Sequence, residues 1–139
     1  MSRYASRSTL IHCFMLWAET SPNTVYMTQP LADGKTLEIT WGEAANQVTR
    51  VANYLTSLNL PAQSSIGLLG RNSAHWILAD LAIWMAGHVT VPLYPTLNAE
   101  SAEYILEHSE CKLLFLGKLD GKADGWNDIK NILPESLPL

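Results

Sequence analysis

Strand-like and helix-like segments alternate regularly between residues 66 and 116, and this alternation constrains the fold more than any other feature. The predicted order is a strand at 66–69, a helix at 74–86, a strand at 89–93, a helix at 98–108 and a strand at 113–116. Strands separated by helices of this kind are joined by right-handed crossovers and lie parallel in one sheet. Their near-continuous apolar character indicates a sheet covered by helices on both faces. The sequence therefore predicts the α/β class.

The first 40 residues predict a helix followed by a short antiparallel arm. The helix is expected at 10–18 and should end at Ser21 and Pro22, and its apolar face consists of Leu10, Ile11, Phe14, Met15 and Ala18. Two extended runs at 25–29 and 36–40 flank the turn-like sequence Ala-Asp-Gly-Lys at 32–35. We therefore expect a hairpin-like arm to follow the first helix.

A second helix is predicted to begin after Thr40. Thr40 and Glu43 have the spacing of a capping box. The positions that follow form one apolar stripe, made of Ala44, Val48, Val51, Ala52, Leu55 and Leu58. Asn59 and Pro61 mark the end of this helix.

The predicted helix at 74–86 is apolar on nearly every side, interrupted chiefly by His75 and Asp80. Such a helix is normally buried on most sides. A domain of this size has little material to cover it, so part of its surface is expected to pack against another domain or a second copy of the chain. The helix at 98–108, with its repeated glutamates, predicts an ordinary solvated surface. We expect an α/β subdomain at 1–117 and a loop-rich linker at 118–139.

Composition and charge exclude several classes of protein. The 139 residues are 47% hydrophobic and 16% charged, which excludes a disordered tail, and the net charge of -4 without a basic run argues against nucleic acid as a partner. Cys13 and Cys111 are far apart, which favours free thiols and a cytoplasmic location. Arg3 and Arg7 precede an apolar run as in a signal peptide, but His12 interrupts it and no Ala-x-Ala site follows. No apolar stretch reaches the length of a membrane span.

No catalytic, cofactor-binding or metal-binding residue can be assigned from the sequence. The four histidines form no metal-binding pair and are expected on helix surfaces or helix ends: His12, His75, His88 and His108. The cysteines are expected to behave as small buried hydrophobes. Residues 120–125 resemble the start of a calcium loop, but Lys122 occupies a ligand position and Asn131 stands where a glutamate is required. Two Asp-Gly turns explain that segment better.

The segment at 67–73, Gly-Leu-Leu-Gly-Arg-Asn-Ser, leads from a strand into a helix. Backbone N–H groups at such a junction can hold a phosphate. The segment is neither a dinucleotide-binding fingerprint nor a Walker loop. A tight turn capped by Asn72 or Ser73 is the favoured interpretation, and a weak anion site is the alternative.

Three segments together resemble the AMP-forming acyl-CoA synthetase (adenylate-forming ligase) family. Thr-Trp-Gly-Glu-Ala at 40–44 is similar to the first core motif of that family, and residues 81–93 resemble the second, with its Ala-Gly and Val-Pro-Leu landmarks. Between them, Asn72 and Trp76 match an Asn-x-x-x-Trp turn of the fatty-acyl branch. Departures include Trp41 in place of tyrosine, and His88 and Thr90 in place of small residues. The order and spacing of the motifs make the resemblance specific at family level.

The resemblance implies a two-step reaction in which a carboxylic acid and ATP give an acyl-adenylate and pyrophosphate, after which coenzyme A displaces AMP. The parent enzyme would use ATP, Mg²⁺ and coenzyme A, and its substrate would be a fatty acid, most like those of the long-chain members. The Ser/Thr/Gly-rich phosphate loop and the catalytic lysine of the family have no counterpart here and are expected beyond Leu139. The 139-residue chain is therefore expected to be a scaffold for the rest of the polypeptide, without catalysis or cofactor binding of its own.

Two other interpretations of the sequence stay open. The chain could be a small nucleotide-binding module that uses the turn at 67–73. It could also be an interaction module that self-associates as a homodimer through the apolar helix at 74–86 and the arm around residues 32–35.

Overall fold

The computed structural model describes residues 9–117. Its elements are α1 Leu10–Thr20, β1 Val25–Pro30, β2 Thr36–Thr40, α2 Trp41–Ser57, β3 Ser65–Leu69, α3 Ala74–Met85, β4 Val89–Leu93, α4 Ala99–His108 and β5 Leu113–Leu116. The predicted bounds of these helices and strands agree closely with the observed ones. The predicted linker at 118–139 and the loop at 120–125 lie outside the described residues.

Strands β3, β4 and β5 form a parallel sheet in the order β4-β3-β5. Ile66 in β3 pairs with Thr90 on one side and with Leu113 on the other. The central strand is covered on both faces, since its residues from Ile66 to Leu69 are all buried. The α/β prediction with a parallel sheet is confirmed.

Strand β4 departs from the prediction of cover on both faces. Val89 is 49% exposed. The apolar cluster that contains the buried side chains of α4 includes Val91 and Leu93 of this strand but does not reach Val89. Val89 is exposed because β4 lies at the edge of the sheet. The apolar sequence of β4 does not reveal this position.

Helices α2 and α3 form a layer on the face of the sheet opposite to α4. The predicted stripe of α2 faces inward, with Ala44, Val48, Ala52 and Leu55 buried, and Val51 and Leu58 partly buried at its margin. In α1, Phe14 and Ala18 are buried, but Leu10 is 67% exposed, so its assignment to the buried face was wrong. Helical spacing shows which side chains share a face, but not how far the neighbouring elements extend beneath it.

The predicted arm is an antiparallel hairpin of β1 and β2. Its turn depends on Gly34, which has a φ of 80°, and on Asp33, whose carboxylate accepts the N–H of Lys35 at 3.1 Å. The arm is fixed to α2 by aromatic packing, because the rings of Tyr26 and Trp41 stack at 3.9 Å between centroids. Position 41 therefore serves as an aromatic contact at the start of α2.

The capping box at the start of α2 is present and gives a first test of the fold. The Thr40 hydroxyl accepts the Glu43 N–H at 3.2 Å, and the Glu43 carboxylate accepts the Thr40 N–H at 2.9 Å. We expect Thr40→Ala to lower the free energy of unfolding by about 1 kcal/mol, because the Glu43 N–H loses the hydroxyl that accepts its hydrogen bond. Urea denaturation measures the change. Thr28→Ala, at an exposed position of β1, is the control, and an equal effect at both positions would contradict the capping role.

Candidate functional site

In parallel α/β sheets, binding sites most often lie beside the carboxyl ends of the strands, which form the carboxyl edge of the sheet. The chain passes from β3 to β4 on one side and then crosses to β5 on the other. Ligands of open α/β sheets tend to bind where the strand order reverses in this way, which is here between the ends of β3 and β5. Two glycines meet at this point: a Cβ added to Gly117 would lie 3.1 Å from Cα of Gly70. No local sequence pattern predicts this close approach, because it joins residues distant in the chain.

The turn at 67–73 lies at this edge of the sheet, and two hydrogen-bond donors at the start of α3 already have partners. Ser73 is the N-cap, and its hydroxyl accepts the Trp76 N–H at 3.2 Å. The Ala74 N–H donates at 2.8 Å to Oε1 of Gln29 in the arm. The Gly117 N–H donates at 2.7 Å to the Leu69 carbonyl. A phosphate at this junction could otherwise use the Ala74 and Trp76 N–H groups, so their engagement favours a capped turn over an anion site.

Three of the four histidines lie on exposed surface as predicted, and one does not. His12, His75 and His108 are exposed, whereas His88 is only 9% exposed. His88 follows the end of α3, where its N–H donates at 3.0 Å to the Ile83 carbonyl. It lines an open cleft of about 440 Å³ between the start of α1 and the end of α3, together with Thr9, Leu10, Ile11, Trp84 and Met85. The prediction of a helix-end position holds for His88, but not that of a surface residue.

The cysteines show no sign of nucleophilic activation. Cys13 and Cys111 are both free and partly buried. Burial raises the pKa of the Cys111 thiol, and the Ser109 hydroxyl and Lys112 only partly offset that rise. A thiol with a raised pKa holds less of the reactive thiolate near neutral pH.

Metal binding and membrane spanning have no structural support within residues 9–117. These residues contain no cluster of three or more His, Cys, Asp or Glu side chains suited to an ion. None of their helices combines the length and the apolar character required to cross a bilayer.

Asp80 is the most unusual polar group in the described part of the chain. It lies half-buried on α3, and burial raises the pKa of its carboxyl. The Thr90 hydroxyl of β4 faces this carboxyl and offsets part of the rise, yet Oδ1 of Asp80 and Oγ1 of Thr90 complete no hydrogen bond. From the sequence, Thr90 is recognisable only as a residue that is bulkier than the family pattern. Its proximity to Asp80 depends on the packing of α3 against β4.

The raised pKa of Asp80 predicts a pH-dependent effect of its substitution. A carboxyl whose pKa is higher in the folded than in the unfolded chain favours folding below its ordinary pKa of 3.8, and loses that contribution as the pH rises through the folded value. Asp80→Asn should therefore raise the melting temperature near neutral pH, and the gain should shrink towards about pH 4. Thermal unfolding at both pH values measures this. Glu103→Gln, on the exposed side of α4, is the control and should not change the melting temperature in this pH-dependent way. A gain in melting temperature for Asp80→Asn that is the same at both pH values would contradict the explanation.

The two segments that resemble family core motifs lie at junctions between elements. The first joins β2 to α2 through the Thr40 cap, and the second runs from α3 into β4. Their side chains cap, pack and turn the chain, and neither segment brings an acid, base or nucleophile into a shared site. The motifs therefore describe the scaffold.

Comparison with known proteins agrees with this description. The family model "AMP-binding enzyme" matches residues 14–137. A long-chain-fatty-acid–CoA ligase of Mycobacterium tuberculosis is 38% identical over 87 residues, which covers 63% of this chain and 14% of that protein. Long chain acyl-CoA synthetase 4 of Arabidopsis thaliana is 32% identical over 107 residues, covering 74% of this chain and 16% of that protein. The chain thus spans only a small part of the length of these curated relatives.

Solved structures show the same fold. A fatty acid AMP ligase from Legionella pneumophila superposes with a TM-score of 0.73 and 21% identity, over 84% of this chain and 21% of that one. The crystal structure of IdnL1 gives a TM-score of 0.76 and 23% identity, over 96% of this chain and 26% of that one. The resemblance read from the core motifs is confirmed, and the chain belongs to the family of AMP-binding enzymes.

Proposed function

We propose that this chain is the amino-terminal scaffold segment of an ATP-dependent, AMP-forming fatty-acid CoA ligase. The observation that carries the proposal is the family match over residues 14–137 on a parallel sheet of the same fold as the adenylate-forming ligases. The reaction would convert a carboxylic acid, ATP and coenzyme A into acyl-CoA, AMP and pyrophosphate. Asn72 and Trp76, together with relatives named as long-chain ligases, support a long-chain fatty acid as the substrate.

In this proposal the chain positions other parts of the enzyme and does not catalyse by itself. The N–H groups at the start of α3 are engaged with Ser73 and Gln29, and residues 9–117 offer no metal cluster. Contacts to ATP, Mg²⁺ and coenzyme A are therefore assigned to the remainder of the polypeptide. A cytoplasmic location is part of the same proposal, supported by the free thiols Cys13 and Cys111.

A chimera tests the proposed function. Residues 14–137 of this chain would replace the matched segment of the Mycobacterium tuberculosis ligase, and pyrophosphate release would be followed with ATP, coenzyme A and fatty acids of increasing length. We expect activity that rises with chain length and that is absent from the same ligase lacking the segment. A chimera that folds, as judged by a cooperative thermal transition, but releases no pyrophosphate would refute the proposal.

The isolated chain distinguishes this function from a free-standing nucleotide-binding module. Titration calorimetry with ATP and with AMP is expected to show no saturable binding, because the Ala74 and Trp76 N–H groups, which follow the turn at 67–73, have partners within the fold. Saturable binding that a bulky residue at Gly70 abolishes would favour the nucleotide-binding module instead.

A further inference from the structure

Asn72 and Ser73 lie next to each other in the turn between β3 and α3, and Asn72 is exposed. An asparagine loses ammonia when the main-chain nitrogen of the next residue attacks its Cγ, which is one reason why asparagine is a thermolabile residue. The reaction is favoured by a small following residue, and by a side chain and a following N–H that are free of hydrogen bonds. Ser73 meets the first of these conditions.

Both reacting groups at this turn are free of hydrogen bonds within residues 9–117. Neither the side-chain amide of Asn72 nor the Ser73 N–H has a partner there. Ser73 is held to α3 by other atoms, since its hydroxyl accepts the Trp76 N–H at 3.2 Å and its carbonyl accepts the Ile77 N–H at 3.3 Å. The attacking nitrogen therefore stays available while the helix start is capped.

Three other asparagines of the described region are followed by an N–H that is engaged. The Thr24 N–H, which follows Asn23, donates to the Ser21 carbonyl at 3.1 Å. Asn46 and Asn53 lie inside α2, where the next N–H belongs to the helical hydrogen-bond pattern. At these three positions a hydrogen bond has to break before the nitrogen can attack.

The remaining two asparagines of this region have an engaged side chain. The Asn59 amide donates to the Ser57 carbonyl at 3.1 Å, and the Asn98 side-chain oxygen accepts the Ser101 N–H at 2.8 Å. Within residues 9–117, only Asn72 combines a free side chain, a free following N–H and a small next residue.

We propose that Asn72 is a modification site, which converts spontaneously to aspartate and isoaspartate. The Ser73 nitrogen attacks Cγ of Asn72, a new N–Cγ bond forms as the bond to the side-chain nitrogen breaks, and ammonia leaves with the proton from the Ser73 N–H. Water then opens the succinimide ring. Its attack on Cγ gives aspartate, and its attack on the main-chain carbonyl carbon gives isoaspartate. The reaction needs only this chain and water, so it is independent of the proposed function.

The two products differ in their effect on the start of α3. Both place a negative charge at the carboxyl edge of the sheet, where the amino end of a helix favours an anion, so aspartate is compatible with the fold. Isoaspartate adds one carbon to the main chain immediately before Ser73. It therefore displaces the N-cap whose hydroxyl accepts the Trp76 N–H.

The test follows deamidation of the full chain in water enriched in oxygen-18, because each conversion then adds one labelled oxygen. Mass spectrometry of chymotryptic peptides measures Asn72 and Asn98 separately, in the folded chain and in guanidinium chloride. We expect the rates at Asn72 in the two states to agree within about twofold, because no contact has to open first. At Asn98 the folded chain should react about tenfold more slowly, because the side chain must first release the Ser101 N–H.

Two variants locate the reaction. Asn72→Gln should remove the labelled product from this peptide, because a glutamine has to close a larger and slower-forming ring. Ser73→Thr keeps the hydroxyl that caps α3 and places a methyl group beside the attacking nitrogen, so it should slow the conversion about fivefold. The comparison of folded with unfolded chain needs neither variant.

Three results would overturn the proposal. Protection of Asn72 in the folded chain as strong as that of Asn98 would show that the turn holds the reacting groups. Label that persists in Asn72→Gln would place the reaction at another residue. Aspartate as the sole labelled product would show direct hydrolysis of the amide without attack by the Ser73 nitrogen.

Discussion

Replacing Leu55 with alanine should lower the free energy of unfolding by about 2–5 kcal/mol, the largest effect we expect from a single truncation in this chain. Leu55 is fully buried where α2 meets the sheet, in a cluster with Ile66 of β3, Ile83 of α3 and Leu113 of β5. Four elements lose contacts at once, and the neighbouring side chains are themselves buried, so we expect them to relax only partly into the space. The cavity therefore stays largely open.

Urea denaturation measures the loss for Leu55→Ala. The slope of the free energy of unfolding against urea concentration should stay unchanged. Tyr54→Ala is the matched control, because Tyr54 is the preceding residue of the same helix and is 57% exposed. Its truncation should change the free energy of unfolding by no more than about 0.5 kcal/mol. Similar losses at the two positions would show that helix propensity, and not the shared core, determines the effect.

Replacing Gly67 with alanine should also destabilise the fold, by about 1–3 kcal/mol. A Cβ at this position of β3 would lie 2.7 Å from Cδ1 of Leu114 and 3.2 Å from Cδ2 of Leu106. Both leucines are buried, so they can move only by displacing the layer between β5 and α4. The glycine is required for space, since α4 packs directly over the central strand.

Gly70→Ala provides the control, because it adds the same methyl group three residues further on. Its Cβ would lie 3.4 Å from Cδ1 of Trp76 and 3.6 Å from Cα of Gly117, which are close to ordinary contacts. We expect a change of no more than about 0.5 kcal/mol. A larger loss for Gly70→Ala than for Gly67→Ala in thermal or urea unfolding would contradict the steric explanation.

Several features of the fold could be predicted because local signals and long-range packing agree. The capping box at Thr40 and Glu43 fixed the start of α2, and the turn sequence around Gly34 fixed the hairpin. The alternation after residue 65 implied crossovers and therefore parallel pairing, which the sheet confirms. These signals are carried by neighbouring residues, so a single sequence suffices to read them.

The candidate site was less accessible to sequence reasoning. The sequence predicts a junction at 67–73 capped by Asn72 or Ser73, and Ser73 is the cap, but the Gln29 side chain that accepts the Ala74 N–H comes from the arm. The exposure of Leu10 and the burial of His88 likewise depend on which elements lie beside them. No local pattern carries this information, because each contact joins residues far apart in the chain.

The sequence alone determined the class of the fold, the start and end of its helices and membership of a family, since periodicity, caps and core motifs are local properties. Only the tertiary structure decided the strand order β4-β3-β5, the meeting of Gly70 with Gly117, and the position of Asp80 against Thr90. These features arise from packing between elements, where burial and the choice of neighbour are set by the whole arrangement. The position of Asp80 is the clearest of them, because its carboxyl lies beside the Thr90 hydroxyl only when α3 packs against β4.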